Sequence, residues 1–104
     1  MNGGYLLSPL AQADLSDIWD YSYNLWGADQ ADAYVLAIHE ACEGLVTAIA
    51  NGRIAGQSAE HIRTGYRKQI VGSHLVFFTC KLMGAVDVVR ILNQRMDVVA
   101  HLRN

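Results

Sequence analysis

The apolar spacing of this chain changes period once along its length. From Pro9 to Ala50 apolar residues recur at helical spacing, and from Tyr66 to Asn93 they alternate as in half-buried strands. A helical unit therefore precedes a sheet, and neither is stable without the other: a few strands need a covering layer, and an amphipathic helix needs a surface on which to bury its stripe.

Tyr5-Leu6-Leu7 reads as a short strand. Ser8 then offers an N-cap hydroxyl, and Pro9 fits the first helical position, where its missing N–H costs nothing. Ala11, Leu15, Ile18, Trp19 and Ser22 share one stripe of this helix, which Gly27 can end. A second helix is predicted from Asp29 to Ala50, with Ala31, Tyr34, Ile38, Cys42, Leu45 and Ile49 facing inward and Asn51-Gly52 as the stop. At ~1.5 Å per residue it is about 33 Å long. The link at Gly27-Ala28 is so short that the two helices must fold back as an antiparallel hairpin.

Residues 53–65 lack a period and read as a loop. Three strands follow: Tyr66–Val71, His74–Lys81 and Val86–Asn93, separated by Gly72-Ser73 and by a turn near Met83-Gly84. Strict alternation in the last strand puts Val89 and Ile91 on one face and Val88, Arg90 and Leu92 on the other. The expected architecture is α+β, in the order β-α-α-β-β-β: an N-terminal strand, then an antiparallel helical hairpin packed on an antiparallel sheet. The 104 residues suit one domain, 1–104, with a tail from Gln94 that is either a helical turn or an extended arm.

Charge is divided sharply. Residues 1–52 hold seven acidic and no basic side chains, a formal −7, whereas residues 53–104 hold eight basic against three acidic, +5. Such a basic half suits either an acidic layer of the same fold or an acidic partner. No apolar run approaches the ~20 residues that span a bilayer, and the first residues lack a signal-peptide pattern, so a soluble cytoplasmic protein is expected. Cys42 and Cys80 lack CxxC spacing and read as two buried, reduced thiols. His39-Glu40 starts like a zinc-protease helix, but Glu43 stands where the second histidine is needed. His61, His74 and His101 have no ligand spacing, so neither metal nor cofactor is expected.

Two groups of side chains remain as binding candidates. Trp19, Tyr21, Tyr23, Trp26 and Tyr34 add more aromatic surface than one stripe hides; Trp19 and Tyr34 read as core and Tyr21, Tyr23 and Trp26 as partly exposed, where amphipathic aromatics favour contact with a partner. Arg63, Arg67, Lys68, Arg90 and Arg95 lie in or beside the sheet. Arg90 interrupts an apolar run, so its guanidinium needs a carboxylate, a carbonyl or water; Asp87, Asp97 or an acidic partner would serve.

The chain resembles the ParE branch of the ParE/RelE toxin superfamily along nearly its whole length. The resemblance is carried by Leu7-Ser8 with Ala11, Asp14-Leu15 and Ile18-Trp19; by Trp26-Gly27 with Gln30-Ala31 and Tyr34; by Ile62-Arg63 through Arg67; by Gly72-Ser73-His74; and by Arg90-Ile91-Leu92 with Gln94-Arg95-Met96-Asp97. It departs at Asn93, where many relatives have histidine, and at Phe78-Thr79, where they often carry tyrosine and arginine.

What the resemblance implies is a non-enzymatic toxin, held in a hetero-oligomeric complex such as a heterotetramer by a ParD-like antitoxin. Free toxin would inhibit DNA gyrase, and DNA would be met only indirectly, through the antitoxin. Tyr21, Tyr23, Trp26, Tyr34, Arg63, Arg67 and Arg90 are the expected antitoxin contacts, and the +5 half would draw an acidic antitoxin tail. Arg90, Asn93, Gln94, Arg95, Met96 and Asp97 are the expected inhibitory segment. The alternatives are a detoxified antitoxin-binding module and a RelE-like, ribosome-dependent mRNA nuclease. For the nuclease, Arg67, His74 and Arg95 would supply the charges, with His101 standing in for a C-terminal tyrosine.

Overall fold

A computed structural model describes residues 4–81, 84–96 and 98–102. Strand β1 (Tyr5–Leu7) leads into helices α1 (Pro9–Trp26) and α2 (Ala28–Ala50). Strands β2 (Gln57–Ser58), β3 (Arg67–Val71), β4 (His74–Cys80) and β5 (Val86–Asn93) follow, and a short helix α3 (Val98–Leu102) ends the described chain. The order β1-β5-β4-β3-β2 makes one five-stranded sheet, antiparallel except where β1 runs parallel to β5. Two strands in it lay outside the antiparallel meander read from the sequence: β1 adds the parallel edge and β2 emerges from the supposed loop.

Local chemistry explains the helical layer. The Ser8 hydroxyl accepts the Ala11 N–H at 3.0 Å and donates to the Val89 carbonyl at 2.6 Å, so one side chain caps α1 and staples its start to β5. Gly27 alone separates the helices at φ +92°, a conformation that side chains resist. α2 is long and apolar enough by length and composition to cross a bilayer. Here its Ala31-Ile38-Cys42-Leu45 stripe is buried within the domain instead, and Asp29, Asp32, Glu40 and Glu43 interrupt the rest.

The main core lies between hairpin and sheet, where Leu15, Ile18, Ile38 and Leu45 meet Val76, Phe78, Val86, Val88 and Ile91. A smaller core on the opposite face joins Phe77 and Leu92 to Ala59 and Leu102, so residues 59–66 and α3 cover part of a face that the sequence left open. The inward set of β5 also departs from strict alternation. Phe78 pairs with Val88 but Phe77 pairs with Arg90, so Val89 is an extra residue. This β-bulge shifts the phase by one position: Val88 and Ile91 face the helices, and Leu92 faces away. Cys80 corrects a second expectation, since only Cys42 is buried and Cys80 is exposed.

Candidate functional site

The bulge puts Arg90 in register with Phe77, on the face of Leu92, and its guanidinium reaches α1 only around the edge of β5. Strand β1 pairs with β5 only as far as Val88, so the next stretch of β5 has no strand on that side. Asp14 of α1 fills the gap. Its Oδ2 accepts the Ile91 N–H at 2.9 Å and the Arg90 Nε–H at 2.8 Å, while Oδ1 accepts from Arg90 Nη2 at 2.9 Å. A two-point guanidinium–carboxylate pair is geometrically matched, and the hydrogen bond with Asp14 holds the Arg90 guanidinium above its ordinary range. Arg90 is therefore not displayed on an open sheet face. Its partner is Asp14, rather than Asp87, which pairs with Lys81 at 3.0 Å, or Asp97, which lies outside the described residues.

Beside this pair, two cavities of about 220 and 510 Å³ share Tyr21, His74 and Asn93 and form one groove. The smaller lies between Asp14, Asp17, Ile18 and Tyr21 of α1 and Ile91, Leu92, Asn93 and Met96 at the end of β5. The larger is walled by Tyr21, Ser22 and Trp26 of α1, Gln30 and Tyr34 of α2, and Ser73 and His74 at the β3–β4 turn. Tyr21 and Trp26 stand 65% and 64% exposed on its rim, apolar area that the domain does not cover itself.

Tyr34 fixes the floor. Its hydroxyl donates to the Val71 carbonyl at 3.2 Å, accepts the Ser73 N–H at 3.2 Å, and lies 2.7 Å from His74 Nδ1. One hydroxyl thus ties the turn to α2, and Gly72 is required there: at φ +57°, an added Cβ would lie 2.7 Å from that oxygen. Burial lowers the His74 pKa and outweighs the raising influence of Asp14, which favours a neutral ring. Gln94 closes the end, its backbone N–H donating to the Ser73 carbonyl and its side chain to the Gly72 carbonyl.

The structure brings together Tyr21, Trp26, Tyr34, Asn93 and Met96 of the expected contact residues, with Gln94 and Arg95 just beyond Asn93. Tyr23 turns away and stacks on Trp19 at 5.1 Å, and Trp19 in turn donates to Asp32, so Trp19 is a half-buried clasp between the helices. Arg63 lies over the Tyr66 ring. Arg67 sits at the far end of β3 and donates to the Ala55 and Gly56 carbonyls, holding the chain before β2 in place. Asp14 and Asp17 are the functional candidates that the sequence reading passed over. Their signal was present: with Ile18 and Tyr21 they follow helical spacing along one flank of the buried stripe. Among the described residues, no three His, Cys, Asp or Glu side chains converge as for a metal ion.

The strand-led helical hairpin, the sheet beneath it and the groove at one end define a small α+β domain of the RelE/ParE type. A family model described as the ParE toxin of the type II toxin–antitoxin system, parDE, matches residues 5–98. Toxin ParE1 of Mycobacterium tuberculosis is 48% identical over 102 residues, covering 98% of this chain and all of that protein. Toxin ParE1 of Caulobacter vibrioides is 41% identical over 98 residues, 94% of this chain and 96% of that one. Among solved structures, a chain of the chromosomal ParDE system from P. aeruginosa superposes with a TM-score of 0.73 at 26% identity, over 88% of this chain and 95% of its own. The chain belongs to the ParE toxin family of type II toxin–antitoxin systems.

Proposed function

We propose that a ParD-like antitoxin neutralises this toxin by laying a segment along the groove between α1 and the β4–β5 end of the sheet. Free toxin inhibits DNA gyrase by contact rather than by bond cleavage, and both partners are met in the cytoplasm. The observation that carries the binding reading is the continuous groove rimmed by Tyr21 and Trp26, with Met96 also 43% exposed. Filling it with apolar side chains would gain ~1.5–3 kcal/mol for each one fully buried, whereas exposed ion pairs add only ~0.2–1.

The non-enzymatic reading draws support from the nuclease candidates themselves. Arg67 is bonded to backbone carbonyls, and His74, whose burial favours the neutral ring, is bonded to Tyr34, so Arg95 is left to supply the charge. RNA cleavage needs such groups free for the 2′-hydroxyl, the phosphorane and the leaving oxygen. The gyrase reading rests on family resemblance in the segment from Arg90 to Asp97. Purified toxin is expected to block gyrase supercoiling or trap cleaved DNA and to leave ribosome-bound mRNA intact. Cut mRNA with unaffected supercoiling would transfer the protein to the nuclease class. Partner binding with neither activity and no growth arrest would leave a detoxified binding module.

A further inference from the structure

We propose that the segment filling this groove is apolar and carries a lysine or arginine where it passes Asp17, rather than the acidic stretch that the charge of the C-terminal half invites. The inference rests on the antitoxin reading above and specifies the chemistry of its occupant. Asp14 and Asp17 both line the smaller cavity, but Asp14 is neutralised by Arg90 and bonded to the Ile91 N–H. Asp17 is exposed and has no ion pair among the described residues. Neither cavity is lined by a lysine or arginine, and the other polar groups on the walls are amides, hydroxyls and His74.

A second feature selects the same charge independently. The rim rings, Tyr21 and Trp26, offer negative π faces that attract a cation. An incoming carboxylate would meet a like charge at Asp17 and the same faces, with no cation on the groove wall to receive it. The aliphatic stem of a lysine or arginine would also cover apolar wall such as Ile18 and Met96 while its head reaches the carboxylate.

The test uses the full-length protein encoded by the reading frame adjacent to the toxin, titrated by calorimetry against wild-type toxin and the variants Asp17→Lys, Asp17→Asn and Tyr21→Ala. Asp17 is exposed on a helix, and circular dichroism checks that each variant is folded. Asp17→Lys is expected to weaken binding about three- to tenfold at low salt, Asp17→Asn by less, and both differences should shrink as salt is raised. Tyr21→Ala should weaken binding at every salt concentration. Tighter binding by Asp17→Lys would mean that the occupant brings acid, and unchanged binding would mean that no charge faces Asp17; either overturns the inference and leaves the antitoxin reading standing. Wild-type affinity in Tyr21→Ala would place the partner elsewhere and overturn the inference as well. Failure of wild-type toxin to bind that protein at all would overturn the antitoxin reading and this inference with it.

Discussion

Asp14→Asn tests the hinge between the two halves of the fold. The substitution preserves shape and an oxygen for the Ile91 N–H, but removes the charge that Arg90 is paired with. Breaking a buried pair from one side costs ~3–5 kcal/mol, mostly because the other charge stays behind unpaired. Here the two side chains retain 16% and 12% exposure, so some water reaches Arg90 and the lower end, about 3 kcal/mol, applies. For a domain of about 100 residues, 1 kcal/mol moves Tm by ~4–8 °C, so Tm should fall by more than about 10 °C. Arg90→Met removes the cation instead and leaves Asp14 its bond to Ile91 N–H and access to groove water, an expected loss of about 1–2 kcal/mol. The double variant should lie near Arg90→Met, so the coupling should be close to the cost of Asp14→Asn alone, about 3 kcal/mol. Urea unfolding of the four proteins, followed by far-ultraviolet circular dichroism, supplies the cycle. Asp14→Asn within about 0.5 kcal/mol of wild type, together with additive singles, would refute the reasoning and restore Arg90 as a solvated group free for a partner. With the pair intact, Arg90→Glu puts a carboxylate against Asp14, so lost toxicity in that variant reports unfolding rather than a missing contact.

Tyr34→Phe strips the turn of a hydroxyl with three polar contacts and should cost about 1–3 kcal/mol in thermal denaturation; Gly72→Ala should be destabilising too, because φ +57° and the Tyr34 oxygen both oppose a Cβ. Burial lowers the His74 pKa below 6.5, so the unfolded chain takes up its proton first as pH falls. Stability should then be level above that pH and decline from it downward through the folded pKa, a slope that His74→Gln should flatten in pH-dependent melts. Iodoacetamide at pH 8 should modify one thiol in the folded protein, the exposed Cys80, since burial pushes Cys42 up to about 11; the second should react only in urea, as read by mass spectrometry.

Features governed by neighbours in sequence were legible. The Ser8-Pro9 start, the Gly27 break, the Asn51-Gly52 stop and three strands within a residue of their bounds all follow from caps and periods that a short window contains. Long-range features were not. Arg90 and Asp14 are 76 positions apart, and nothing beside either names the other. The Val89 bulge is equally silent, because Val88-Val89-Arg90-Ile91-Leu92 offers apolar residues in either phase. What decides the phase is Ser8 and Asp14 gripping β5 from α1, through the Val89 carbonyl and the Ile91 N–H on either side of Arg90. At the candidate site, the exposure of Tyr21 and Trp26 was readable from the excess of aromatics over one stripe. Tyr23 is exposed as well, but its stacking on Trp19, away from the groove, was not legible.

The charge division takes on a different meaning once the layers are assigned. The acidic half supplies β1 and the hairpin, and the basic half supplies the rest of the sheet, so the two signs meet along the line where α1 rests on β5. The Arg90–Asp14 bridge joins one half to the other, whereas the Lys81–Asp87 pair lies within the basic half. General attraction between layers therefore does little to hold them together; that work falls to the buried apolar contacts, with one charged clasp setting register. The remaining charges stay available to steer a partner over about a Debye length, ~10 Å at 0.1 M salt. A segment crossing the seam meets carboxylates on the α1 wall, whereas on the sheet Arg67, Lys81 and Arg90 are already partnered. It therefore gains orientation from a cation carried where it passes α1, and a uniformly acidic chain would be opposed there.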